Sequence, residues 1–174
     1  MKRLLSIILL GAIACANAGP ASARSPRNAV AAEDKSAIAD LIADYGFAAD
    51  SRDAKAVALL FTEDARFEVP ASRVNVSGRG AIAAAFDQGW QAIANVPLQR
   101  RHIITGLRVT GVEGRARQFR AIMNVTQTGP DGPPRLHLTG FYQGIAVPTP
   151  DGWRLKFLQI NIDSVSSARN GQPH

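Results

Sequence analysis

IADLIADYGFAADSRDAKAVALLFTEDARFEV, residues 38–69, is the stretch whose reading decides the fold. Ile38, Leu41, Ile42, Tyr45 and Ala49 recur at three- and four-residue steps, the spacing that lines one face of an α-helix. The helix is read over Asp34–Ala49, with Asp34 or Ser36 as its cap, and it runs out on a carboxylate, Asp50. At about 100° per residue, Tyr45 and Asp50 lie roughly 140° apart around the axis. Both can border one cavity only if that cavity wraps the C-terminal end of the helix. Asp53 caps a second, short helix, Ala54–Phe61, whose Val57, Leu60 and Phe61 point inward. LFTEDA then turns the chain into a strand at Arg66–Val69 that stops at Pro70, with Val74–Val76 as its partner.

Downstream, Gly78-Arg79-Gly80 opens a third helix with Ile82, Phe86, Trp90 and Ile93 on one stripe. The glycine pair lacks the remaining glycines and the lysine of a phosphate loop. After Pro97 the apolar period changes from 3.6 to 2, which predicts strands at His102–Thr110, Arg115–Thr128, Arg135–Val147 and Trp153–Val165. GVEG, GPDGPP and PTPDG, all turn chemistry, join them into a meander. Helices segregated ahead of such a meander pack on one of its faces. The expected fold is therefore α+β, a curved antiparallel sheet (a cone-shaped α+β barrel) with three N-terminal helices closing a central pocket, the natural ligand site.

The 174 residues, 46% hydrophobic and 20% charged, suit one globular domain with a substantial core, placed at residues 33–165. Residues 1–23 read as a secretory signal peptide: Lys2 and Arg3, an apolar run from Leu4 to Ala14, then Ala16-Asn17-Ala18 and Ala21-Ser22-Ala23 as cleavage sites. Residues 24–32 are a flexible lead-in and 166–174 a disordered tail. The apolar run is short for a bilayer, so no stable membrane insertion is expected and the protein is periplasmic or secreted. AIAC around Cys15 loosely matches a lipobox, the lesser alternative. Cys15 is the only cysteine, so the cleaved chain has no disulfide, thiol nucleophile or thiolate metal site. Net charge is +6, or +4 once Lys2 and Arg3 are removed. The scattered arginines, among them Arg100, Arg101, Arg108 and Arg120, read as a solvated face and not as a nucleic-acid surface.

Y-x4-D-x2-D at Tyr45–Asp53, LFTEDA, GRGAIAAAF, RRHIITG and the late GFYQGI and DGWRLKF together resemble the nuclear transport factor 2-like superfamily, in its SnoaL-like and scytalone-dehydratase-like branch. The match spans roughly residues 33–165 and rests on the order of the elements more than on any one motif. That fold hosts enzymes, binding domains and dimerisation modules alike. The resemblance implies a catalytic aspartate at Asp50, a pocket histidine at His102 and a homodimer paired through the outer sheet face. The branch's second histidine falls at Gln127, and glutamine cannot shuttle a proton. Scytalone-type dehydration thus loses half of its histidine pair unless His137 supplies it.

Asp50 and His102 are the expected catalytic pair, Asp50 as base and His102 as its acid/base partner. A carboxylate facing a dry cavity is a usable base, because burial disfavours its charged form. The plainer alternatives are that Asp50 only starts the ADSRDA turn and that His102 is a satisfied strand residue. Tyr45 and Gln127 are expected to orient a substrate, with Phe86, Trp90 and Met123 lining the pocket. Ala121, Met123, Val125 and Gln127 form the uncharged, inward set of their strand. On the next strand patterning does not separate the faces, and His137 and Phe141 are taken as pocket residues. His102, His137 and His174 lack ligand spacing, and no nucleophile elbow or dinucleotide fingerprint is present, so no metal and no cofactor are expected. The expected function is an exported, cofactor-independent lyase, dehydratase or isomerase acting on a small apolar, aromatic or polyketide-like molecule. A non-catalytic small-molecule-binding domain and a dimerisation module of the same fold are the alternatives.

Overall fold

In the computed structural model, which describes residues 30–112 and 114–166, the opening stretch forms one helix, α1 (Ala32–Asp50). It buries Ile38, Leu41, Ile42, Tyr45 and Gly46. A Cβ at Gly46 would stand 3.2 Å from Ile104 Cδ1 and 3.5 Å from His102 Cβ, so the bare glycine lets the helix settle directly on the sheet. Neither expected cap operates. The N-cap is Ala31 without a side-chain bond, because Asp34 instead accepts from Arg117 Nη2 (2.6 Å) and Nε (2.9 Å), tying the first turn to the sheet. Asp53 does cap α2 (Ala54–Leu59), accepting from the Ala56 amide at 2.8 Å. That helix stops before Phe61, which begins β1 (Phe61–Val69) with its ring fully buried.

A 3-10 turn, Pro70–Ser72, leads into β2 (Val74–Ser77), and α3 (Arg79–Gln91) follows. The meander is β3 (Gln99–Gly111), β4 (Arg117–Thr128), β5 (Arg135–Thr149) and β6 (Gly152–Val165). The strand order is β2-β1-β6-β5-β4-β3, and the sheet is curved and unclosed. It is mixed and not wholly antiparallel, since β1 runs parallel to β6 with Phe67 opposite Leu158. No turn dictates that direction: the two strands are joined through α3 and the whole meander, and the Leu155 amide donating to the Leu60 carbonyl at 2.8 Å helps set how they meet. Register shifts at Thr105/Arg108, Val125/Thr126, Thr139/Gly140 and Ile145/Ala146 supply the bending.

The concave face carries the core. Phe119, Ala121, Met123 and Val125 are buried on β4, as the alternation predicts. On β5 the buried set is Gly140, Tyr142, Gly144 and Ala146, so Phe141 faces outward, where the Arg120 guanidinium stacks on its ring at 3.8 Å. This corrects the expectation that Phe141 lines the pocket. A half-buried aromatic can sit on an outer face when a cation covers it. His137 lies in the β4–β5 register shift, between Leu138 opposite Val125 and Leu136 opposite Thr126. The leader and most of the expected tail lie outside the described residues. Among the described residues no helix is long and apolar enough to cross a membrane.

Gly144 tests the closeness of this packing. A Cβ there would meet Phe157 O at 2.3 Å and Phe119 Cζ at 2.7 Å, the first of these a backbone atom. Gly144→Ala is expected to cost about 1–3 kcal/mol, seen as a melting temperature lower by on the order of 5 °C. Gly111→Ala, where nothing stands within 4 Å, is the control that should melt near the parent.

Candidate active site

Asp50 is the last residue of α1, and the chain reverses immediately after it through Arg52, at φ 54° in the left-handed region. The Arg52 guanidinium holds the connection between α3 and β3 by donating to the carbonyls of Leu98 (3.0 Å) and Ile93 (3.4 Å). That clamp sets where β3 begins. From there the period of two places Arg100, His102 and Ile104 on the inward face, while Gln99, Arg101 and Ile103 are exposed.

Helix end and strand meet at the predicted pair. His102 Nδ1 lies 2.7 Å from Asp50 Oδ1, and the His102 amide donates to Asp50 Oδ2 at 3.1 Å. The two side chains are 14% and 7% exposed respectively. An ionised carboxylate can only accept, so Nδ1 carries a proton, and in the neutral form of the ring the lone pair is on Nε2. Nε2 has no protein partner among the described residues. Tyr45 packs its ring edge-on to His102 (6.5 Å between centroids), Phe86 (6.3 Å) and Tyr142 (5.5 Å).

Asp50, His102, Tyr45 and Phe86 border a cavity of about 160 Å³, and Tyr142 lies behind them. Tyr45 and Asp50 both line it, so it wraps the C-terminal end of α1, and Phe86, Trp90, His102 and Met123 also line it. Val69, Ile93, Val125, Leu138, Ile160 and Ile162 make most of the remaining wall apolar, with Arg52 and Arg100 as its charged members. Gln127, His137 and Phe141 do not line it. Gln127 stands opposite Arg100 on β4, and His137 is displaced by the register shift, so neither brings a second proton carrier to the cavity wall. Burial pushes the Tyr45 hydroxyl well above the usual tyrosine range, which keeps it a neutral donor at any ordinary pH. Tyr142 is pushed up by burial and, less, by Tyr45 and Asp50, and its Oη is buried without a partner. Burial, then Arg100, holds the His137 imidazole below its ordinary value.

Two charged cavity residues escaped the sequence reading, Arg52 and Arg100. Arg100 carried a usable signal: it stands two positions before His102, so a strand that turns one inward turns both. Arg52 carried none, because its role depends on a left-handed backbone at a non-glycine residue. Among the described residues no three His, Cys, Asp or Glu side chains gather as a metal site.

A helix-closed, curved sheet with a carboxylate–imidazole pair in the wall of a largely apolar cavity defines a pocket-bearing fold of the α+β cone class. The SnoaL-like domain model matches residues 30–159, and the chain belongs to that family. An NTF2-like protein with a cystatin-like fold from Novosphingobium aromaticivorans is 31% identical, with a TM-score of 0.64 over 78% of this chain and 86% of that one. A putative aromatic ring hydroxylase from the same organism is 28% identical, with a TM-score of 0.65 over 80% and 95%. A Catenulispora acidiphila protein in complex with S-DNPA shares the fold at 24% identity, TM-score 0.66, over 76% and 96%. No curated protein matches the sequence.

Proposed function

We propose that the protein is a cofactor-independent lyase, dehydratase or isomerase that works by proton transfer on a small, largely apolar molecule. The observation that carries this is the 2.7 Å Asp50–His102 contact in the wall of an apolar cavity. Both Asp50 oxygens are committed to His102, so the roles differ from those expected of the sequence. His102 Nε2 is the base, and Asp50 fixes its tautomer and stabilises the imidazolium that forms. Nε2 removes a proton from substrate carbon or hydroxyl, and the Tyr45 hydroxyl donates a hydrogen bond to the oxygen that gains charge. The protonated ring then returns the same proton, to a departing group in an elimination or to another carbon in an isomerisation. A cavity of roughly 150 Å³ is enough to hold benzene, so the scale here favours a single ring at the reacting end.

Proton abstraction from carbon leaves a signature that needs no knowledge of the leaving group. In D2O, a panel of single-ring carbon acids should gain deuterium in the presence of the protein, followed by NMR. His102→Ala and Asp50→Asn should each slow that exchange by about 10²-fold or more with the circular dichroism unchanged. Exchange that persists at the parental rate in both variants would remove the acid/base role. Binding of the panel without any exchange would favour the second reading, a non-catalytic binding domain, which the lack of a second histidine in the cavity wall supports.

Export belongs to the same proposal, supported by the leader-like residues 1–23. Expressed whole in a Gram-negative host, the chain should be recovered from the periplasm beginning at Gly19 or Arg24, by intact mass. An uncleaved chain in the cytoplasm would refute this. A homodimer is supported by Ile103, Ile122 and Leu136, about half exposed on the outer sheet face. Sedimentation should give twice the chain mass, and Ile122→Glu should give a monomer. A parent that sediments as a monomer would exclude the dimer.

A further inference from the structure

Arg100 has no counterpart for its charge. Its Nε is buried without a hydrogen-bond partner, and its guanidinium makes no ion pair or hydrogen bond among the described residues. Other arginines are differently placed: Arg52, which shares the cavity, is held by loop carbonyls, and away from it Arg117 is held by Asp34 and Arg79 by Glu63 and the Phe61 carbonyl. Asp50, the carboxylate of the cavity, is already spent on His102. Burial, and then the like charge of Arg52, pushes the Arg100 guanidinium down from its ordinary value, yet a guanidinium stays protonated in proteins. A half-buried cation with one desolvated, unpaired N–H carries part of the desolvation cost in the empty protein.

Position gives this charge a use. Arg100 lines both the cavity that holds His102 and an adjoining cleft of about 350 Å³. The two share Val69, Phe86, Trp90, Ile93 and Ile160 as well, so Arg100 sits at their junction within an apolar sleeve. We propose that Arg100 is the binding residue for a carboxylate on the ligand, which makes the ligand class a small, single-ring organic acid. The ring lies against the apolar wall, and the carboxylate takes the guanidinium's N–H groups, the fork geometry that suits arginine and not lysine. This builds on the acid/base reading for the use of the site but concerns binding alone.

Benzoate, phenylacetate and cinnamate, each beside its methyl ester, separate charge from shape, with affinity measured by calorimetry on the mature protein. The expected result is that at least one acid binds about 10- to 100-fold more tightly than its ester. Arg100→Gln should erase that preference, and Arg100→Lys should restore only part of it. Melting of the ligand-free protein is the second readout. Arg100→Met removes a half-buried charge whose Nε is desolvated and unpaired, so the variant should melt at or above the parental temperature, whereas a structural arginine would leave it lower. Equal affinity for every acid and its ester, acid binding that survives Arg100→Gln, or a lower melting temperature for Arg100→Met would each overturn the assignment. Arginine-dependent acid binding together with deuterium exchange unaffected by His102→Ala would leave this inference standing while the catalytic one falls.

Discussion

Asp50 and His102 are 52 positions apart, and their contact is where the helical layer and the sheet agree on a geometry. The carboxylate makes two bonds at once, one to the ring and one to the strand's own amide, so it fixes both the side chain and the backbone of β3 at that level. Gly46, one turn earlier, removes the bulk that would hold the two layers apart. Arg52, just beyond, anchors the segment leading into β3. The helix end therefore acts as a jig: packing, the carboxylate and the guanidinium position the strand together. A side chain held from both ends can present a fixed nitrogen to a ligand.

The rest of the molecule surrounds that arrangement with packed apolar side chains. Tyr45, Phe86 and Trp90 form a run of rings from α1 to α3, and Phe67 extends it to β1. Glycines on β5 let the neighbouring strand and the Phe119 ring come closer than any side chain would allow. The cavity that holds His102 lies at the end of α1, where charged and polar groups converge. Packing elsewhere is the means by which the cavity is confined.

Much of this was legible in the residues. The 3.6 period of α1, the Asp53 cap, the turn chemistry of the meander and the inward set on β4 are local signals, and each is found where its pattern predicts. Asp50 and His102 were legible as a pair only through resemblance, since nothing local ties them. What escaped depends on non-local geometry. The direction of β1 is set by a partner at the far end of the chain. Phe141 was misplaced because both faces of β5 mix polar and apolar residues, and a cation–ring stack makes an outward phenylalanine acceptable. His137 was displaced by a register shift with no signature of its own. Arg100 looked like one of many surface arginines, although its parity with His102 contained the answer.

An unclosed sheet also has two free margins, β2 and β3, whose unpaired amides and carbonyls could recruit a stray chain. β2 offers only the short length Val74–Ser77. β3 is long, but it is interrupted at Thr105/Arg108 next to Gly106 at φ 62° and carries Arg101 and Arg108 exposed. A break in the hydrogen-bond ladder and repelling cations spoil it as a template for fibrils. Both margins are thereby kept from becoming a seed for aggregation.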